Sequence, residues 1–217
     1  MITAVIFDMD GVLIDSEEIY LGWVSDYAMR LGYSLPKEVL HKTVGLSSAL
    51  ISDYFEEVLG AGKGAAFWSG FMEESVSYEF DLKEALNPGV KEILRNLQEK
   101  KIKIGLASAS SHREINNMLE ANELRLYFDV ILSGTDFVKS KPDPEIYLTA
   151  IEKVNSVPEE CVIIEDSTYG IAAGKAAGAT VIGIEERRFG FDQQEADYLV
   201  KDMNAAWAVI EELCVKD

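Results

Sequence analysis

The sequence predicts an α/β protein: a doubly wound, Rossmann-like parallel sheet, interrupted near its start by an inserted α-helical cap domain. Three observations predict this. Short apolar runs recur along the chain, helical periodicity fills the gaps between the later ones, and one long early segment reads as helix throughout. Continuous apolar runs are what parallel strands need when both sheet faces are covered. Their alternation with helices marks βαβ units.

The first run, Ala4 to Phe7, ends in Asp8 and Asp10, followed directly by Gly11. If the chain is still extended there, the i, i+2 spacing points both carboxylates the same way, and the glycine permits a sharp turn close to a ligand. Residues 16–82 follow, with "EEIYLGWVSDYAMRLGY", "PKEVLHKTV", "SSALISDYFEEVLG" and "GAAFWSGFMEESVSYEF" and no convincing strand. This segment is expected to form a helical domain between two core segments, 1–15 and 83–217, with Asn87, Pro88 and Gly89 marking the return. Its "GAGKGAAF" superficially resembles a phosphate loop, but Lys63 lacks a following Ser or Thr and no strand precedes it, so it reads as a helix connection.

"PGVKEILRNLQEK" then opens a helix with an i, i+3, i+4, i+7 stripe of Val90, Ile93, Leu94 and Leu97. The remaining strands are expected at 101–108, 128–134, 161–167 and 179–184, with helices after the first three of them. Gly170, Gly174 and Gly178, four residues apart, read as a close helix-packing stripe, and 185–198 reads as an edge loop. Ligands of such sheets bind at the carboxyl ends of the strands.

The chain has 217 residues, a formal net charge of -18, two cysteines and two histidines. Such an acidic field repels nucleic acid and anionic membrane, so neither is an expected partner. No run reaches the length of a membrane span and no basic, cleavable leader is visible, so a cytoplasmic protein is expected; a monomer is expected as well. Cys161 and Cys214 read as reduced thiols. With His41 and His112 far apart, acid/base chemistry falls to carboxylates or lysines.

The strand ends gather the chemistry. The first carries Asp8 and Asp10, the second Ser108, the fourth Glu165 and Asp166, and the loop after the third carries Lys141. Carboxylates without histidine or thiol suit a hard cation such as Mg²⁺. That ion would offset the acidic cluster and attract phosphate. The Ser108 hydroxyl and the following amides, Ala109 first, stand before a helix and can receive phosphate oxygens, with Lys141 as a second positive charge.

In order and spacing these motifs resemble the haloacid dehalogenase-like superfamily, in the branch with a helical cap after the first strand. "FDMDGVLIDSE", "GLASAS", "SKPDPEIY" and "IIEDSTYGIAAGKAAGA" match its four motifs in order, and the likeness covers almost the whole chain. Within that branch the chain is similar to β-phosphoglucomutase-type proteins and sugar-phosphate phosphatases. The resemblance implies that Asp8 is the nucleophile of phosphoryl transfer and Asp10 the general acid and base. Ser108, Ala109 and Lys141 would bind phosphate. Mg²⁺ would be held by Asp8, the backbone carbonyl of Asp10, Glu165 and Asp166. The partner would be a small phosphorylated metabolite, with a sugar phosphate favoured.

The cap departs from the mutase pattern. Tyr20 stands where that pattern has a histidine, and in "VGLSS" Ser48 stands where it has an arginine. Tyr20, Gly45, Ser47 and Ser48 are therefore the candidate specificity residues, and their identities favour a phosphatase over a mutase. Trp23, Tyr27, Tyr54 and Trp68 read as cap core rather than pocket lining. A phosphoacceptor receiver domain would lack the helical insertion and the paired aspartates. A catalytically silent metabolite-binding relative remains an alternative of a different class.

Overall fold

The structure, a computed structural model, describes residues 1–78 and 82–215. β1 (Ala4–Phe7) starts the sheet, and the chain then leaves it for α1 (Glu17–Arg30), α2 (Lys37–His41), α3 (Ser48–Leu59) and α4 (Gly64–Ser75). It returns through α5 (Val90–Glu99), β2 (Lys103–Ser108), α6 (His112–Ala121), β3 (Val130–Ser133), α7 (Glu145–Lys153), β4 (Cys161–Glu165), α8 (Thr168–Ala176), β5 (Thr180–Ile184), β6 (Tyr198–Val200) and α9 (Met203–Val215). The chain divides into two compact units, Met1–Asp15 with Leu82–Asp217, and Ser16–Asp81.

The first unit contains a parallel six-stranded sheet in the order β3-β2-β1-β4-β5-β6. Phe7 lies beside both Leu106 of β2 and Ile164 of β4. The strand order reverses at this central strand, and in open sheets that switch point opens a crevice at the carboxyl ends. All four residues of β1 and all five of β4 are buried, which is why β1 and the first four residues of β4 read as continuous apolar runs. One face of the sheet is covered through Tyr147, Ala150 and Ile151 of α7 and Ile171 and Ala173 of α8. Burying these apolar helix faces stabilises the fold at about 25 cal/mol per Å² of apolar surface removed from water.

Local sequence sets the helix starts next to the site. Ser111 caps α6 in a reciprocal box with Glu114. Ser167 caps α8 by accepting from the Gly170 amide at 3.0 Å. The glycines expected to form one packing stripe serve different ends. A Cβ at Gly174 would meet Val181 Cγ2 at 2.8 Å, so this glycine does bring α8 onto β5; a Cβ at Gly170 would instead fall 1.7 Å from Glu165 Oε1. The segment read as an edge loop, 185–198, ends in β6, whose three residues are too short and too exposed to show a clear pattern.

Among its described residues the second unit has helices and turns and no strand, and 79–81, near the end of the segment expected to be helical, lie outside them. Its core is aromatic: Phe55, Phe67, Trp68 and Phe71 are buried. Phe55 and Phe67 have ring centroids 4.8 Å apart, Tyr27 and Phe67 5.3 Å, and Trp68 stacks on Phe71 at 5.3 Å. Edge-on and offset pairs of this kind favour a defined packing. Among the described residues no helix is long and apolar enough to cross a membrane.

Candidate active site

At the carboxyl end of β1 the chain passes from a fully apolar strand into Asp8, which is 7% exposed. Its amide donates to the Ile164 carbonyl at 3.0 Å, so the β1–β4 ladder extends to this residue. The following turn brings Gly11 into the left-handed region (φ +79°), where a Cβ would sit 2.1 Å from Asp166 Oδ2. Glycine is therefore required twice, by conformation and by the neighbouring carboxylate. Asn87, expected only to mark the return from the insertion, donates to the Gly11 carbonyl at 3.2 Å and the Val12 carbonyl at 2.9 Å. It holds this turn in place.

Lys141 reaches back from the loop after β3 into the centre of the cluster. Its Nζ donates to Asp8 Oδ1 at 2.6 Å, Glu165 Oε1 at 2.7 Å and the Ala107 carbonyl at 3.2 Å. Carboxylate oxygens of Asp8, Glu165 and Asp166 lie within 4.8 Å of one another, and all three residues are buried. One ammonium shared among these groups leaves the cluster negative. Burial, with Glu165 and Asp10 nearby, pushes the Asp8 carboxyl up to about 8 despite the opposing pull of Lys141. Burial also acts against charging Lys141 and Glu165. For Lys141 it is outweighed by Asp8 and Glu165, which raise its pKa well above the ordinary range; for Glu165 it is outweighed by the Lys141 ammonium and by hydrogen bonds, which lower its pKa.

Glu165 is the most heavily bonded of the acids. Besides Lys141, its Oε1 accepts from the Tyr147 hydroxyl at 2.7 Å; Oε2 accepts from the Asp166 amide at 2.9 Å and from the Ser167 amide and hydroxyl at 3.1 Å. Five donors fill the roughly four lone-pair directions of a carboxylate. Tyr147 is fully buried, and Lys141 Nζ lies 4.8 Å from its ring centroid. Sequence reading placed Tyr147 in a helix without a role. A buried tyrosine needs a partner for its hydroxyl, but that partner, 18 residues away, is visible only in the fold. Gln193, also missed, fixes the strand end by donating to the Asp166 carbonyl at 2.5 Å and the Ile184 carbonyl at 2.7 Å.

Asp10 faces the end of β2. Its Oδ2 accepts from Ser110 Oγ at 2.7 Å and, at the longer distance of 3.5 Å, from Ser108 Oγ. Ser108 is fully buried and its hydroxyl accepts from the Ser110 amide at 3.0 Å. Ala109 lies between them, exposed in the bend after β2. The first unit thus brings together Asp8, Asp10, Ser108, Ala109, Lys141, Glu165 and Asp166.

Tyr20, Gly45, Ser47 and Ser48 belong to the second unit. There the Tyr20 hydroxyl donates to Met72 Sδ at 3.4 Å and its ring meets Phe71 at 5.3 Å. Ser47 caps α3, Ser48 Oγ accepts from Trp68 Nε1 at 2.7 Å, and Gly45 is exposed in the turn before α3.

Residues 5–184 match the family model described as haloacid dehalogenase-like hydrolase. The chain is 37% identical over 177 residues to a phosphorylated carbohydrates phosphatase of Thermotoga maritima, spanning 81% of each chain. It is 34% identical over 185 residues to hexitol phosphatase B of Escherichia coli, spanning 81% of this chain and 80% of that protein. A solved structure of β-phosphoglucomutase from Clostridium difficile superposes with a TM-score of 0.80 at 26% identity, covering 98% of this chain and 96% of that one.

Proposed function

The chain belongs to the haloacid dehalogenase-like hydrolase family, and on that premise we propose that it is a Mg²⁺-dependent phosphatase of small sugar phosphates working through an aspartyl phosphate on Asp8. The observation that carries this reading is the buried cluster in which Asp8 shares Lys141 with Glu165 beside Asp166, while Asp10 stands on the serines at the end of β2. The names of two relatives, a phosphorylated carbohydrates phosphatase and a hexitol phosphatase, support the substrate class.

A carboxylate of Asp8 forms the new bond to phosphorus as the bond to the leaving oxygen breaks. That oxygen takes the electron pair and the Asp10 proton. In the second half, water gives its proton to Asp10 and its oxygen attacks phosphorus, which frees Asp8 and releases inorganic phosphate. Lys141, the Ser108 hydroxyl and the Ala109 amide orient the phosphoryl oxygens.

The donor set fits Mg²⁺. Oxygen ligands alone, buried together and short of positive charge, are what a hard cation binds. Asp8, Asp166 and the Asp10 carbonyl would hold it, and Glu165 would join them by giving up one of its five donors. When bound, the ion supplies neutralisation of charge on the transferring group.

The solved β-phosphoglucomutase supports a second reading, a phosphotransferase. Against it stands Ser48, whose hydroxyl accepts from Trp68 within the helical unit and which carries no charge to clamp a second phosphate. A panel of hexose, hexitol and pentose phosphates, assayed for inorganic phosphate with and without chelator, tests the proposal. Phosphate release that stops on chelation is expected. From β-glucose 1-phosphate with a trace of the 1,6-bisphosphate, efficient glucose 6-phosphate formation with negligible phosphate release would favour the mutase instead.

A further inference from the structure

We propose that Ser110 is a positioning residue for the general acid, and that the end of β3 holds Ser110 in place through Ser133. The inference rests on the phosphatase reading and names a residue that the motif comparison left without a role.

Ser110 Oγ donates to Asp10 Oδ2 at 2.7 Å, 0.8 Å closer than the Ser108 hydroxyl at 3.5 Å on the same oxygen. Its backbone is gripped on both sides by hydroxyls of fully buried residues. The amide donates to Ser108 Oγ at 3.0 Å, and the carbonyl accepts from Ser133 Oγ at 2.7 Å. Ser133 lies in register with Ser108 across the β2–β3 ladder and also meets Thr135 Oγ1 at 2.7 Å. At Gly134 a Cβ would fall 2.9 Å from Ala109 Cα, so the end of β3 presses directly on the bend that presents Ser110. These contacts fix the backbone from which the Ser110 hydroxyl reaches Asp10.

The chemical consequence concerns the orientation of the Asp10 carboxyl. A hydroxyl donating to Oδ2 fixes the plane of the carboxyl that gives its proton to the leaving alkoxide. When the P–O bond breaks, its electron pair goes to the leaving oxygen, the proton passes to it from Asp10, and Asp10 is left as the carboxylate that takes a proton from water in the second half. Without Ser110 the carboxyl can rotate, and the donor geometry is lost in a fraction of encounters.

The test uses kcat/KM, which reports the first transfer, on three aromatic esters of similar size: 4-nitrophenyl, phenyl and benzyl phosphate. The benzyl ester departs as an alkoxide and depends on Asp10 most; the nitrophenyl ester depends on it least. Ser110→Ala is expected to lower the benzyl value by about 10–100-fold and the nitrophenyl value by less than about threefold, the benzyl loss staying below the roughly 10²–10⁴-fold cost of removing the general acid itself. Ser110→Thr, which keeps the hydroxyl, should restore the benzyl value to within about threefold of wild type. In an Asp10→Asn background Ser110→Ala should add less than about threefold, because the two act as one unit.

Equal losses on the three esters, an undiminished effect in the Asp10→Asn background, or no recovery with threonine would overturn the proposal and leave Ser110 as a phosphate ligand or a structural residue. If Ser110→Ala does not fold by circular dichroism, Ser133→Ala carries the same comparison. A loss skewed to the benzyl ester supports the assignment and an even loss defeats it. Wild-type protein inactive on these esters and on every sugar phosphate would instead defeat the phosphatase reading, and Ser110's role with it.

Discussion

Replacing Asp8 by asparagine should abolish turnover and at the same time stabilise the chelator-treated protein. The Asp8 carboxyl is pushed from 3.8 to about 8, by burial first and by its acidic neighbours second. A carboxyl raised on folding binds more protons folded than unfolded, so its contribution to stability falls as pH rises from about 4 to about 8. The amide mimics the protonated side chain and keeps an oxygen to accept from Lys141, so the variant escapes this penalty. At about 1.4 kcal/mol per pH unit the advantage is small at pH 5, on the order of a few kcal/mol at pH 7, and constant above about pH 8. Glu165, whose pKa is lowered, adds stability above its unfolded value that is lost only as pH falls further, so its window lies below that of Asp8. Lys141, whose pKa is raised, loses its contribution only at alkaline pH, beyond the ordinary lysine range. Urea unfolding of both proteins at several pH values between 5 and 8, in excess chelator, reads the difference. A gap in favour of Asp8→Asn that widens with pH is expected. With Mg²⁺ a hundredfold above its dissociation constant, wild type should recover about 2.7 kcal/mol and the variant less. A variant no more stable than wild type at pH 7, or a gap independent of pH, would refute the charge-crowding argument.

Asp10→Asn should cost alkyl phosphates on the order of 10²–10⁴ in kcat/KM and aryl phosphates markedly less, since aryl leaving groups need less protonation; equal losses would remove Asp10 from the acid role. Gly170→Ala, whose Cβ would sit 1.7 Å from Glu165 Oε1, should displace Glu165 from Tyr147 and Lys141. Calorimetry should then show a loss of about 2–4 kcal/mol, and unchanged stability would mean that Glu165 is not held as described. Asn87→Ala removes both hydrogen bonds to the Gly11–Val12 turn. It should cost about 1–3 kcal/mol together with activity, whereas loss of stability alone, with kcat/KM intact, would show that the turn holds the site without Asn87.

The sheet was readable because its strands are buried on both faces, so β1, β2, β4 and β5 stand out as apolar runs against amphipathic helices. β6 escaped notice for the opposite physical reason: three partly exposed residues at the sheet edge carry no alternation long enough to detect. Asp8, Asp10, Glu165 and Asp166 could be grouped in advance because each lies at or within three residues of the carboxyl end of a strand, and a doubly wound sheet brings strand ends together. Tyr147, Ser110, Asn87 and Gln193 could not, since the identity of each is ordinary for its position and its meaning lies in partners as far as 100 residues away. The glycines of α8 show the same limit. Their four-residue spacing is visible in the sequence, but only the fold shows that Gly170 clears a carboxylate and Gly174 a valine.

The central claim is that the phosphoryl group is carried by Asp8. Wild-type protein mixed with a turned-over sugar phosphate and Mg²⁺, quenched in acid during the first turnovers and reduced with borohydride, should yield homoserine at position 8 in the N-terminal peptide. No such conversion should occur without substrate or in Asp8→Asn. Continued phosphate release by Asp8→Asn, or reduction at a different carboxylate, would contradict the account.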